Sequence, residues 1–186
     1  MACELTKGRG LDCRDGIGGI KAVYFVQLAD VTTLTSSGGE LTEFVITSNL
    51  FKYNLARGTG SYTETVNVST ENGTLFFQPE VNIKLHKMTT ADQNELKLLA
   101  QNRRLVIFVE TNNVNAAGKR TILCCGSVNG MEMTAGTVQS GVAFGDMNGY
   151  DLTFTGMEPD TALVVEDYTT NPFDQGDFTV NAIDED

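Results

Sequence analysis

Tryptophan is absent from this chain, proline occurs only 3 times in 186 residues, and there is 1 histidine. With His86 alone, neither a Ser-His-Asp triad nor a Cys-His pair has its imidazole in a convincing setting. No apolar run approaches the roughly 20 residues that a membrane-spanning helix needs. The opening MACELTKGRGLDCRDGIGG lacks the apolar core of a signal peptide, so secretion by that route is not expected. There is no excess of positive charge either. The net charge is −11, which argues against a basic surface that grips nucleic acid.

The 4 cysteines are Cys3, Cys13, Cys124 and Cys125. Their spacing matches no zinc ribbon or finger. Cys124 and Cys125 adjoin in TILCCGSV, and neighbours on a strand point to opposite faces, so the pair is poorly placed to share a metal. Free thiols in a reducing compartment are the expectation for all four. Gly8-Arg9-Gly10 and Gly16-Ile17-Gly18-Gly19 lack the Lys-Ser/Thr ending of a phosphate loop and follow no strand. They read as a flexible arm over residues 1–20. Asp146-Met147-Asn148-Gly149 has one feature of a calcium loop, but the other ligand positions are out of register. No cofactor and no enzymatic activity are expected.

What is present is β structure. KAVYFVQLA (Lys21–Ala29) and RLVIFVET (Arg104–Thr111) are short, apolar and rich in branched and aromatic residues, as buried strands are. Ser36–Gly39 is a turn. Thr42–Asn49 and Leu50–Arg57 read as strands or one bent strand, with Gly58-Thr59-Gly60 at the tip of a long connection. Tyr62, Val66 and Val68 face one way and Thr63, Thr65 and Asn67 the other. Asn72-Gly73 suits a hairpin turn. Phe76, Pro79, Val81, Ile83 and Leu85 are assigned to one face of the return strand, with Pro79 marking an edge or bulge. Arg120–Val128 and Met131–Thr137 are expected to form a hairpin closed by Asn129-Gly130. Tyr150, Leu152 and Phe154 alternate with Asp151, Thr153 and Thr155, and Thr161–Glu166 is the last strand expected.

One helix interrupts this pattern. TTADQNELKLLAQN opens with Thr90 as expected N-cap and Gln93 three residues later, a capping box. Leu96, Leu99 and Ala100 form its apolar stripe. A helix of about a dozen residues is marginal alone and must pack on a sheet. The charge is also uneven. From Met157 to Asp186 there are nine acidic residues and no Lys or Arg, whereas the rest has 15 acidic and 13 basic residues, a net of −2. Residues 170–186 therefore read as a solvated acidic tail.

GTGSYTETVNVSTENGTLFFQPEVNIKLHKMTTADQNELKLLAQNRRLVIFVETNN and SGVAFGDMNGYDLTFTGMEPDTA resemble phage major tail tube proteins. The shared features are a Gly/Ser loop, a Phe-rich return strand, a Thr-Ala-Asp helix start and a Gly-Tyr-x-Leu-Thr strand. They run from about Leu41 to Val165. The resemblance implies a single mainly β domain, a β-sandwich flanked by one α-helix with a long inter-subunit loop. It implies hexameric rings whose inner sheets join into a β-barrel and which stack into a tube in the virion tail, assembled in the host bacterial cytoplasm. DNA would pass through the lumen without specific binding. Partners would be further copies, a terminator, a baseplate or tip, a tape measure and a sheath where one exists, with no membrane. By position, Leu50–Tyr62 would be the inter-ring loop, carrying Leu50, Phe51, Lys52, Tyr53, Leu55 and Arg57. Acidic groups should line a lumen that must not hold its cargo, and Glu43, Glu64 and Glu71 are the candidates. A terminator or head-completion ring, the tube of a bacterial contractile injection machine, and a capsid decoration or binding module are the other roles such a chain fits.

Overall fold

The computed structural model describes residues 7–11 and 14–185. The calls on Cys3, Cys13 and Asp186 lie outside them. In chain order the elements are β1 (Ile20–Gln27), β2 (Val31–Ser37), β3 (Glu40–Ile46), β4 (Leu50–Asn54), β5 (Gly60–Ser69), β6 (Thr74–His86), α1 (Thr90–Gln101), β7 (Leu105–Val114) and β8 (Arg120–Cys125). They continue with β9 (Met131–Gln139), β10 (Gly149–Gly156), β11 (Leu163–Val165), β12 (Phe178–Thr179) and β13 (Ile183–Asp184). The protein is mainly β with a single helix among the described residues. Its sheet is mixed: β11 and β12 pair with β3, and β13 with β4, in parallel, while the other pairs are antiparallel.

The ladder of β1 on β7, with Val23 opposite Val109 and Phe25 opposite Ile107, is buried on both faces. One face gives Tyr24, Val26, Val106 and Phe108 to a cluster with Leu41, Phe44, Phe173 and Phe178. The other gives Val23, Phe25, Ile107 and Val109 to a cluster with Val81, Ile83, Tyr150, Leu152 and Phe154. A strand covered on both sides reads as a continuous apolar run, which is why AVYFV and LVIFV stood out. Hydrogen bonding runs β4-β1-β7-β8-β11-β3, so this sheet rolls around the first cluster. The second cluster lies between that sheet and a four-stranded one, β5-β6-β10-β9, with Leu96 and Leu99 of α1 packed against it. Cys124 and Cys125 are free and buried, one in each cluster. Burial pushes both thiols up, so they stay protonated.

Several expectations are corrected. VTTLTSS forms β2, antiparallel to β3, although its alternation is too polar to announce a strand. The connection at Leu50–Tyr62 is short: Leu50–Asn54 is β4 paired with β1, Leu50 is fully buried, and only residues 55–59 bridge to β5. Gly60 is not a loose tip, because a Cβ there would sit 2.4 Å from the Ile20 side chain. The helix begins one residue early. Thr89 is the N-cap, its hydroxyl accepting from the Asp92 N–H at 3.1 Å and donating to the Asp92 carboxylate at 2.6 Å. Ala100 is exposed and falls off the packed stripe.

Pro79 lies inside an unbroken strand, and Phe76 sits on the face opposite Val81 and Ile83. Phe77 donates toward β10's side, to Glu158 O, so the absent Pro79 N–H would point the same way. The β10 ladder has already ended at Glu80, so no bond is lost there. Arg120–Val128 and Met131–Thr137 do not pair. β8 joins β7 and β11, while β9 joins β10. Asn129-Gly130 instead carries the chain between sheets, held by the buried Glu158, whose carboxylate accepts the N–H groups of Val128, Asn129 and Gly130 at 2.9–3.1 Å.

Residues 170–185 are part of the fold and not a solvated tail. Phe173 and Phe178 enter the first cluster, β12 and β13 add to β3 and β4, and Glu185 pairs with Lys52 at 3.1 Å. Phe173 has a backbone φ of 66°, unusual for a bulky residue. Next to it, the Asp174 carboxylate accepts three N–H groups from Thr169, Thr170 and Asn171. Of the arm expected over residues 1–20, residues 14–19 carry no regular structure and are exposed. Ile17, Gly18 and Gly19 are nevertheless hydrogen-bonded to Asn112 and Asn113 of β7, and Ile20 already belongs to β1.

Gly149 opens β10 at φ 150°, and a Cβ there would lie 1.9 Å from the Leu85 carbonyl oxygen. Gly149→Ala should lower stability by about 2–4 kcal/mol in chemical denaturation. Gly145→Ala, where a Cβ meets nothing within 4 Å, should stay within about 0.5 kcal/mol of the parent.

Candidate functional site

The most distinctive surface is the outer face of the β5-β6-β10-β9 sheet. Alternation sends Tyr150, Leu152 and Phe154 inward, leaving Asp151, Thr153 and Thr155 outward as expected. Register places Lys84 opposite Asp151, Asn82 opposite Thr153 and Glu80 opposite Thr155. On β5, Ser61 and Thr63 align with Asn82 and Glu80, and on β9 Glu132 aligns with Thr155. The face is a field of threonines with three carboxylates and one ammonium. Lys84 Nζ lies 2.9 Å from Asp151, and Asn82 donates to both Asp151 and Thr153 at 3.0 Å. The bond from Lys84, aided by Asn82, holds the Asp151 carboxyl below its ordinary value. Lys84 is therefore neutralised locally, and Glu80 and Glu132 leave the face acidic.

Among the described residues, neither long edge of this sheet is covered by a strand along its length. β5 bonds only to β6, in an unshifted register of ten pairs. β9 bonds to β10, and to β7 only at Met131. β5 has no lysine, proline or bulge to blunt its edge, and its one charged residue is Glu64, which turns inward. By contrast β2, which pairs only with β3, is bulged twice. The far half of the β5–β6 hairpin also leaves the core. Val66, Val68 and Leu75 are 56%, 67% and 54% exposed. They share a face with Tyr62, but that face has no cover beyond Glu64.

The three candidate carboxylates are not brought together. Glu43 lies on β3, accepting from Thr35 at 2.7 Å. Glu64 is half-buried on the inner face of β5, where it accepts the Ala162 N–H at 2.9 Å. Glu71 is exposed in the hairpin turn. Of the six loop candidates, Leu50 is in the core and Phe51, Lys52 and Tyr53 are on β4. Leu55 packs against the second cluster, and Arg57 is exposed in the short connection. His86 is exposed at the end of β6, opposite Gly149.

Two polar features escaped the sequence reading. Glu110 is almost fully buried, accepting from the Tyr24 hydroxyl at 2.9 Å and lying 3.2 Å from Lys21 and 3.5 Å from Arg120. Burial, then Glu110, pushes the Tyr24 hydroxyl well up. These partners are up to 89 residues apart, and no local signal joins them. A groove of about 570 Å³ also runs between β4, the start of α1, the end of β6 and the C-terminal segment, lined by Lys52, Tyr53, His86, Glu95 and Glu185. Burial, then Glu95 and Asp92, pushes Tyr53 up to about 12. The Asp146 carboxylate folds back onto the Val142 and Ala143 N–H groups, which accounts for the calcium-like spacing. Among the described residues no three His, Cys, Asp or Glu side chains are grouped to hold a metal, and no helix is long and apolar enough to cross a membrane.

No protein-family description matches this chain, and neither does any curated protein or solved structure.

A depressed carboxylate pKa stabilises the fold above the ordinary value, 3.8 for Asp151, and that contribution is lost as pH falls through the folded pKa. Thermal melts of the parent and Asp151→Asn should therefore differ above pH 4 and converge well below 3.8. A difference that persists unchanged at the acid end would show that the Lys84–Asp151 pair contributes nothing.

Proposed function

We propose that this chain is a structural subunit of a phage tail tube, in which copies join through the edges of the β5-β6-β10-β9 sheet. The carrying observation is that, among the described residues, β5 has no strand on its outer side and β9 has one only at Met131, and that the β5 edge is long and regular. Such an edge is a template for another strand. Pairing β5 of one copy with β9 of the next is a head-to-tail contact, which closes into a ring when the rotation allows. The Thr-rich outer face then becomes the continuous inner wall. The sequence resemblance to tail tube proteins, and the mainly β fold with one helix, support the same reading.

The wall chemistry suits a conduit for DNA. A phosphate backbone is held by lysine and arginine through counterion release. Here the one ammonium in the registered rows is held by Asp151, while Glu80 and Glu132 repel phosphate over a Debye length of about 8–10 Å. Glu80, Glu132 and Asp151 take the role first given to Glu43, Glu64 and Glu71.

Val66 offers a clean test. The Lys84 N–H bonds to Thr59 O, so even-numbered β6 residues donate toward β5, and the Val66 N–H points to the free edge. Val66→Pro removes that donor without breaking an internal bond. Native mass spectrometry should give sixfold assemblies for the parent and a folded monomer for Val66→Pro. Unchanged assembly in the variant would exclude β5 as the joining edge, and a parent that stays monomeric at high concentration would exclude the tube.

A further inference from the structure

The loop joining β9 to β10 presents apolar side chains outward on a fixed turn. Val142 and Phe144 are 102% and 114% exposed. Asp146 accepts the N–H groups of Val142 and Ala143 at 2.9 and 2.7 Å and donates its own N–H to Ala143 O at 3.0 Å. Gly141, at φ 70°, has no room for a Cβ, which would lie 2.5 Å from the Cβ of Asp146. The backbone of the turn is thus held before anything touches it, so docking of Phe144 has its side-chain rotamers to fix but little main chain.

A matching cavity lies at the other end of the same sheet. β9 and β10 pair from Gln139↔Gly149, beside the loop, to Met131↔Gly156. That ladder is about 25 Å long at roughly 3.4 Å per residue. Met131 pairs with Leu105, and Leu105 lines a mainly apolar cavity of about 150 Å³ with Phe25, Phe51, Leu98 and Leu99. Leu98 of α1 is 57% exposed. Charge also matches. Exposed Arg104 lines an adjoining pocket that shares Gln27 and Asn102 with the cavity, next to exposed Arg103, and neither has an ion-pair partner among the described residues. Glu95, by contrast, lines the cavity on the side of the groove beside β4. An acid, Asp146, sits beside Phe144 and would meet the arginine side. Its two backbone bonds hold that carboxyl below its ordinary value, so it stays ionised near neutral pH.

We infer that Phe144 of one copy docks in the Leu98–Leu99–Leu105 cavity of a second copy displaced along the strand direction. A knob at one end and a socket at the other make a heterologous contact that repeats without closing. As the joint between rings, this inference rests on the stacked-ring reading. The contact itself is independent of it. Phe51 then belongs to the receiving socket and not to a reaching loop.

Two surface substitutions test this in the full chain, Phe144→Asp without the knob and Leu98→Asp with a blocked socket. Loss of a central aromatic anchor should weaken lengthwise association by on the order of thirtyfold, read by sedimentation velocity. Each variant alone should stop at single rings, or monomers if rings do not form. An equimolar mixture should recover one productive joint and give pairs without long polymers. Normal polymers from Phe144→Asp, polymers lost with Phe144→Asp but kept with Leu98→Asp, or no pairs in the mixture would each overturn the docking. If the parent makes lengthwise polymers that contain no rings, the tube reading fails while the docking stands.

Discussion

The β1–β7 ladder is the constraint on which the rest depends. Both of its faces are apolar, so both must be covered, and one sheet alone cannot cover them. The chain solves this by rolling the sheet through β8, β11 and β3 over one face and stacking the β5-β6-β10-β9 sheet on the other. The buried Glu110 then needs Lys21, Arg120 and Tyr24 around it, because an unpaired carboxylate in that interior would be costly. Burial within the subunit accounts for the strand order and for the C-terminal segment, whose Phe173 and Phe178 close the first cluster.

What the ladder does not account for is what lies at the rim. Among the described residues, β5, and β9 beyond Met131, have no strand on their outer sides, the end of the β5–β6 hairpin keeps its valines in water, and the β9–β10 turn holds a phenylalanine away from the core. A monomer has some reason to avoid such features, and the proposed assembly gives them a use. They fall in two directions, the edges across the strands and the loop and cavity along them. Under the proposed reading, growth in both directions would give a closed ring in one and an open stack in the other, which is the plan of a tube.

How far the sequence showed this depends on how local each signal was. β1, β7 and β10 were legible because burial wrote itself into runs or alternations of apolar residues. The helix was legible because a cap and a stripe coincide within twelve residues, though Thr89 won over Thr90 by reaching the Asp92 N–H. β2 was missed because its exposed positions are threonines and serines. The Asn129-Gly130 hairpin was misassigned because its true partner, Glu158, lies 28 residues further on. The acidic end misled because nine carboxylates outweighed two phenylalanines in any compositional reading. At the candidate surface, Glu64 and Glu80 look alike in sequence. Strand register alone shows that Glu64 turns inward to Ala162 while Glu80 faces out.

The central claim is that the free edges, the exposed turn and the socket exist for contact with further copies of this chain. Negative-stain electron microscopy of the purified protein at high concentration addresses it most directly. The account predicts rings with a central hole and, where they stack, hollow rods of uniform width. A field of compact particles of single-subunit size, or solely closed dimers or trimers with no hole, would contradict it.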